Sequence, residues 1–177
     1  MRGFEFLGQK LSSDYCAVYA AAMWLSLMGR AMSRAESHSA FGTRRSGWVP
    51  PDEAAVVEVL RRRLGEQAVR RTTHRYGSAA ALVAAGKRRL TDSSALLVAA
   101  TCRLRGTRIA ARHAFLITGC DDSSLRVLDS LGPAPRSGHP ANALIADTGA
   151  RRRFLPAAGT CWDVDLADPI AFIERSA

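Results

Sequence analysis

Three residue types that together perform acyl transfer occur in the order cysteine, histidine, aspartate along this chain of 177 residues. Cys16 stands at the start of an apolar segment predicted to be helical, where N–H groups and the helix dipole stabilise a thiolate. His113 and Asp129 lie in two apolar runs further along. A thiolate, a base and an orienting carboxylate attack carbonyl groups. A cysteine taken alone is more often a small buried core residue.

The spacing of His113 and Asp129 predicts that they are neighbours across a β-hairpin. The polar stretch at residues 119–124 separates the two apolar runs and is typical of a turn. If the hairpin folds about residue 121, the two positions are directly opposite, with Cβ atoms about 5 Å apart. Side-chain alternation then places both at the end of the apolar face that packs on the helices. The alternative is that His113 caps the sheet structurally and Asp129 closes a turn.

Gln9 lies seven residues before Cys16, and its side-chain amide could donate a hydrogen bond to an oxyanion beside the nucleophile. With this residue included, two stretches resemble the papain-like cysteine peptidases, most closely the bacteriocin-processing branch that cleaves double-glycine leader peptides. These stretches are QKLSSDYCAVYAAAMWL and RHAFLITGCDDSSLRVLDSLG. Their lengths, 17 and 21 residues, amount to about a fifth of the chain.

The resemblance implies a thiol hydrolase that cleaves a peptide or isopeptide bond in a peptide or protein substrate, without a cofactor or metal. It implies that Cys16 is the nucleophile, His113 the general base and then acid, Asp129 the orienting residue and Gln9 the oxyanion donor. It also implies a papain-like α+β fold, with the helix of Cys16 packed on an antiparallel sheet that carries His113 and Asp129. We expect a free-standing domain without the membrane and ATP-binding regions of transporter-linked relatives.

The same residues also serve deamidation and acyl or amine transfer, because these reactions differ only in the acceptor that enters the cleft. The sequence therefore leaves a papain-fold deamidase or transferase open as an alternative.

The elements that must position these residues follow an α+β plan, with helices first and an antiparallel sheet second. Periodicity and capping residues predict helices at residues 16–28, 33–41, 51–64 and 78–90. Runs rich in Leu, Val and Ile predict strands at residues 95–102, 113–119 and 124–130, and one or two more within 151–165. Residues 131–149 are expected to form an irregular loop. The length predicts a single domain over residues 1–177.

The net charge of +9 raises the possibility of an acidic partner such as nucleic acid. The excess is almost entirely arginine, with 23 Arg against two Lys, a bias that a GC-rich genome produces without selection for phosphate binding. We therefore do not expect nucleic acid as a partner. A non-catalytic basic module that binds nucleic acid stays open as the alternative from another functional class.

The four cysteines form no CxxC pair, which argues against a zinc site and against a disulfide scaffold. Free thiols suit a reducing compartment, so we expect a cytoplasmic protein or one exported without a conventional signal peptide. We expect Cys102, Cys120 and Cys161 to be buried and inert, unless the turn exposes Cys120. The apolar segment at residues 17–28 is too short to span a bilayer.

Overall fold

The computed structural model describes residues 4, 6–8, 15–41, 53–90, 95–135, 141–148, 151–156 and 162–175. In this part of the chain the helices are α1 (Cys16–Leu27), α2 (Arg34–Ala40), α3 (Glu53–Leu64) and α4 (Ala79–Leu90). The strands are β1 (Val69–His74), β2 (Leu96–Leu104), β3 (Ala110–Cys120), β4 (Ser124–Leu128), β5 (Ala143–Thr148), β6 (Arg151–Pro156), β7 (Trp162–Val164) and β8 (Ile170–Arg175). The predicted α+β class is confirmed.

Four predicted helices and the first three predicted strands are present with small differences at their ends, and β6 and β7 occupy the region predicted to hold further strands. The prediction of a loop at residues 131–149 was wrong, because β5 pairs there with β4. The helices do not all precede the sheet, because β1 lies between α3 and α4 and pairs with β8. Only Val69 of β1 is buried, so this edge strand lacks the alternation that predicts a strand.

The strands form one antiparallel sheet in the order β1-β8-β2-β3-β4-β5-β6-β7. β2 has two neighbours on one side, because Leu97–Ala99 pairs with β8 and Cys102–Leu104 pairs with β7. The pairing of β7 with β2 closes β2 to β7 into a ring of six strands. The two faces of the sheet pack on different helices.

Each face of the sheet has its own apolar core. On one face, α1 is almost completely buried, and Met23 and Trp24 belong to the same core as Leu116 of β3. On the other face, Leu82 of α4 packs in a core with Phe115 of β3. None of the helices in the described ranges is long and apolar enough to cross a membrane.

As the sequence predicts, the face that ends in His113 packs on a helix, and that helix is α4. Phe115 and Ile117, which alternate with Leu116, belong to the core of α4. The helix that carries Cys16 therefore lies on the opposite face, and Cys16 has to reach His113 around a strand edge.

Close packing of α4 on β4 depends on Gly86. A Cβ atom at this position would lie 2.7 and 2.9 Å from the two terminal methyl carbons of Leu125, which is fully buried. Overpacking of this kind costs about 1–3 kcal/mol, against a gain of about 1 kcal/mol in helix propensity. We expect Gly86→Ala to lower the free energy of unfolding by about 1 kcal/mol in urea denaturation.

The control for this prediction is the double variant Gly86→Ala/Leu125→Ala. With the Leu125 methyl groups removed, the added Cβ has room, and Gly86→Ala should then stabilise the protein. A destabilisation of the same size in both backgrounds would contradict the steric explanation.

Candidate active site

Cys16 is the first residue of α1, and the N-cap residue does not cap this end of the helix by its side chain. The preceding residue, Tyr15, makes no side-chain capping hydrogen bond, and the first turn contains no acidic residue. The N–H of Ala17 hydrogen-bonds to the Cys16 sulfur. The positive end of the α1 dipole therefore acts on this sulfur.

The Cys16 sulfur meets the sheet at the edge of β3. β4 ends at Leu128, opposite Leu116, so β3 continues beyond its neighbour from Phe115 back to Ala110. The backbone N–H of Ala114, within this extension, hydrogen-bonds to the Cys16 sulfur. Cys16 of α1, on one face of the sheet, thus lies at the edge of β3, and the His113 side chain of β3 points to the other face.

The structure brings His113 together with Cys16 and Asp129, as the sequence predicts. Nε2 of His113 lies 2.8 Å from Oδ1 of Asp129, and the Asp129 side chain is completely buried. The side chains of Cys16 and His113 are hydrogen-bonded to each other. Because Nε2 faces the carboxylate, Nδ1 is the ring nitrogen that faces the thiol. The three groups form one continuous hydrogen-bonded chain.

The predicted register of the hairpin was wrong by two residues. Leu116 pairs with Leu128. One residue further along each strand, Phe115 lies opposite Asp129, in the position that the prediction gave to His113. The cause is the position of the turn, because Cys120 pairs with Leu125 and the hairpin is therefore centred between residues 122 and 123. The extra residue of β3 between Ile117 and Gly119 reduces the resulting shift from three residues to two. A shift of two residues keeps both side chains on the same face, and a diagonal pair of this kind is within reach of long side chains. The contact therefore survives the error in register.

Asp129 is held by more than His113. Its Oδ1 also accepts a hydrogen bond from the backbone N–H of Leu131, at 3.0 Å. The side chain of Asn142 hydrogen-bonds to both the backbone N–H and the backbone carbonyl of Asp129, at 2.8 and 2.7 Å. The sequence does not single out Asn142, which lies in the segment expected to be a loop.

The electrostatics of the site favour a thiolate–imidazolium pair. Burial raises the pKa of the Cys16 thiol, but His113 and the N–H groups of Ala114 and Ala17 outweigh burial, and the net pKa is lowered. Burial lowers the pKa of His113, but the charge and hydrogen bond of Asp129, with a contribution from Cys16, raise the net pKa. Both shifts favour the charged forms at neutral pH.

No protein-family model matches this chain, and no curated protein matches it. Among solved structures, the chain is similar to a crystal structure from Bacillus anthracis described as a “putative C39-like peptidase”. The identity is 12%, the TM-score is 0.48, and the alignment covers 98% of this chain and 96% of the other.

Two of the remaining cysteines lie in the described part of the chain. Cys102 is buried in β2, and burial together with the negative charge of Asp129 raises the pKa of its thiol. Cys120, at the end of β3, is half-buried, and the predicted burial of Cys161 falls outside the described residues. Within the described ranges, no group of three His, Cys, Asp or Glu side chains is placed to hold a metal ion.

Gln9, the predicted oxyanion donor, lies outside the described residues. The residue before it, Gly8, is described. Its carbonyl accepts a hydrogen bond from Arg34 at 2.8 Å, and a Cβ added to it would lie 3.9 Å from the carbonyl oxygen of Ser130. Gly8 therefore lies beside the residue that follows Asp129.

Proposed function

We propose that this protein is a papain-like cysteine hydrolase that attacks a peptide or isopeptide carbonyl with the Cys16 sulfur. The proposal is carried by the hydrogen-bonded chain from Asp129 through His113 to Cys16 at the start of a helix. Such a chain combines an activated nucleophile, a base and a group that orients the base. The double-glycine leader specificity of the bacteriocin-processing branch is not part of the proposal.

In the proposed reaction, the Cys16 thiolate forms a bond to the carbonyl carbon, and the carbonyl oxygen becomes an oxyanion. The backbone N–H of Cys16 and the side-chain amide of Gln9 donate to this oxyanion. The imidazolium of His113 then protonates the leaving nitrogen, the C–N bond breaks, and an acyl-enzyme remains. Neutral His113 next takes a proton from water, and the hydroxyl attacks the thioester to release the acid and the thiol.

The edge of β3 beside Cys16 supports a peptide as substrate. The carbonyl of Thr101, on β2, accepts from the N–H of Asp165, so the Thr101–Arg112 pair is not hydrogen-bonded across β2 and β3. The backbone groups of Arg112 therefore point to the side of β3 from which Ala114 reaches the Cys16 sulfur. A peptide strand that pairs with Arg112 would continue directly to the nucleophile.

The surface charge gives less support to a nucleic-acid-binding module. In the described part of the chain, seven arginines form ion pairs with carboxylates, which reduces the charge that they present to a polyanion. They are Arg70, Arg71, Arg89, Arg103, Arg105, Arg112 and Arg126.

The proposal is tested by the rate at which each cysteine of the native protein reacts with iodoacetamide as a function of pH. Because His113 and the helix N-terminus lower the pKa of Cys16, we expect Cys16 to react fast well below the ordinary thiol pKa of about 8.5. The advantage should disappear in His113→Ala. Peptide mapping by mass spectrometry assigns the reaction to individual residues.

Two thiols of the same chain serve as internal controls for this experiment. Cys120, which is half-buried, should react more slowly than Cys16 at pH 6. Cys102, which is buried, should stay protected in both proteins and so report that His113→Ala remains folded. A Cys16 that reacts no faster than Cys120 at pH 6 would overturn the proposed function.

A further inference from the structure

Asn142 acts on Asp129 at the point where the strand ladder stops. β4 ends at Leu128, so Asp129 lies beyond its last paired residue. The backbone N–H of Asn142 still donates to the carbonyl of Val127, at 2.9 Å. At Asp129, two residues further along, the side chain of Asn142 makes the hydrogen bonds in place of a backbone partner. Its Oδ1 accepts from the N–H of Asp129, and its Nδ2 donates to the Asp129 carbonyl. The amide thus pairs with Asp129 as a neighbouring strand would.

The orientation of this amide is fixed by its surroundings. Nδ2 also donates to the carbonyl of Pro133 at 2.8 Å, so two carbonyls face the nitrogen and an N–H faces the oxygen. A Cβ atom added to Gly132 would lie 2.6 Å from Nδ2 and 2.9 Å from Cγ of Asn142. Gly132 therefore leaves room for the Asn142 amide, and the hydrogen-bond partners identify its oxygen and its nitrogen.

The carboxylate of Asp129 depends on this support. Oδ2 is buried and has no hydrogen-bond partner among the described residues, so none of these helps to orient the group through Oδ2. Oδ1 alone accepts from His113 and from the N–H of Leu131. The direction in which Oδ1 points is consequently set by the position of the Asp129 backbone, which is the part of the residue that Asn142 holds.

We propose that Asn142 is a positioning residue, which places the Asp129 backbone so that Oδ1 meets Nε2 of His113. Its side chain bonds to the backbone of Asp129, and it acts on Cys16 through Asp129 and His113. This inference rests on the proposed function, because the contact that it protects is the one that activates Cys16.

The test measures the alkylation of Cys16 by iodoacetamide at pH 6 in Asn142→Ala, so it needs no substrate. Loss of the amide lets Asp129 move away from His113, and we expect the rate to fall at least tenfold and the pH midpoint to rise. Ile145→Ala is the matched control, because Ile145 is buried in the core of α4 on β5, the strand that begins directly after Asn142. It should lower thermal stability but leave the pH profile unchanged.

A second variant, Gly132→Ala, displaces the amide without removing it, and should also slow the reaction. In the background of Asn142→Ala the added Cβ has room, so the double variant should be no slower than Asn142→Ala alone. This non-additivity separates positioning from a general loss of stability. Protection of Cys102 from alkylation shows that a variant is folded. If Asn142→Ala does not fold, the alkylation rate of Cys16 in Gly132→Ala tests the inference.

The outcomes distinguish this inference from the proposed function. If Cys16 of the unmodified protein shows no enhanced reactivity at pH 6, the proposed function falls, and the inference falls with it. If the unmodified protein is reactive and both variants keep its pH profile, only the inference is overturned. A shift of the same size in Ile145→Ala would also overturn it, because the effect would then be general.

Discussion

Replacement of Cys16 by alanine is expected to lower kcat/KM for peptide hydrolysis by about 10⁴-fold or more, because His113 and Asp129 have no other nucleophile to activate. The measurement is the cleavage of a fluorogenic peptide library by the unmodified protein and by Cys16→Ala. Rapid acid quenching followed by mass spectrometry should show an acyl group on the peptide that contains residue 16, and only in the unmodified protein.

Cys120→Ala is the matched control for Cys16→Ala, because it removes another thiol that is at least partly exposed to solvent. It should leave kcat/KM unchanged. Retention of activity by Cys16→Ala would show that the hydrolysis, if observed, does not proceed through the proposed acyl-enzyme.

The same experiment separates the proposed hydrolase from the alternatives with the same catalytic groups. A hydrolase releases an amine from a peptide bond, a deamidase releases ammonia from a side-chain amide, and a transferase joins the acyl group to an added amine. All three pass through an acyl group on Cys16, so the products, and not the intermediate, identify the reaction.

The helices could be predicted from sequence because their signals are local. α2 begins with a capping box, in which Ser33 and Glu36 each bond to the backbone of the other. α1 is apolar on all sides, and the structure buries it accordingly. Position at the start of such a helix, together with the later histidine and aspartate, singles out Cys16 as the candidate nucleophile.

The missed strands have a different origin, since their stability comes from their partners. β1 has the sequence VRRTTH, in which the polar residues give no alternation, and its pairing with β8 spans about a hundred residues of chain. A strand of this kind forms because an edge with unpaired N–H and C=O groups is available to it. Neither composition nor local spacing reports that edge.

The site shows which part of a sequence argument is robust. His113 and Asp129 lie on one face as predicted, because the turn shifts the register by three residues and the extra residue between Ile117 and Gly119 restores one of them. An error of one residue would have moved one side chain to the other face, whereas an error of two did not. Asn142 could not be found in the same way, because its role depends on where β4 happens to end.

The Asp129 carboxylate contributes charge as well as geometry, and Asp129→Asn separates the two. The substitution keeps the shape of the side chain but removes the charge that, with its hydrogen bond, raises the pKa of His113. Burial, which lowers that pKa, then acts without this opposition. An imidazole that is neutral at pH 7 no longer stabilises the thiolate of Cys16, so the pKa of the thiol should rise as that of His113 falls.

We therefore expect Asp129→Asn to lower kcat/KM by about 10³ to 10⁴-fold at pH 7. The pH range of activity should narrow on both sides. Its acidic limit rises with the pKa of Cys16, and its basic limit falls with the pKa of His113. The matched control is Asp121→Asn, since Asp121 is an exposed carboxylate in the same hairpin and lies 3.4 Å from Arg126. If the acidic and basic limits of the pH profile are unchanged in Asp129→Asn, the charge of Asp129 does not maintain the thiolate–imidazolium pair.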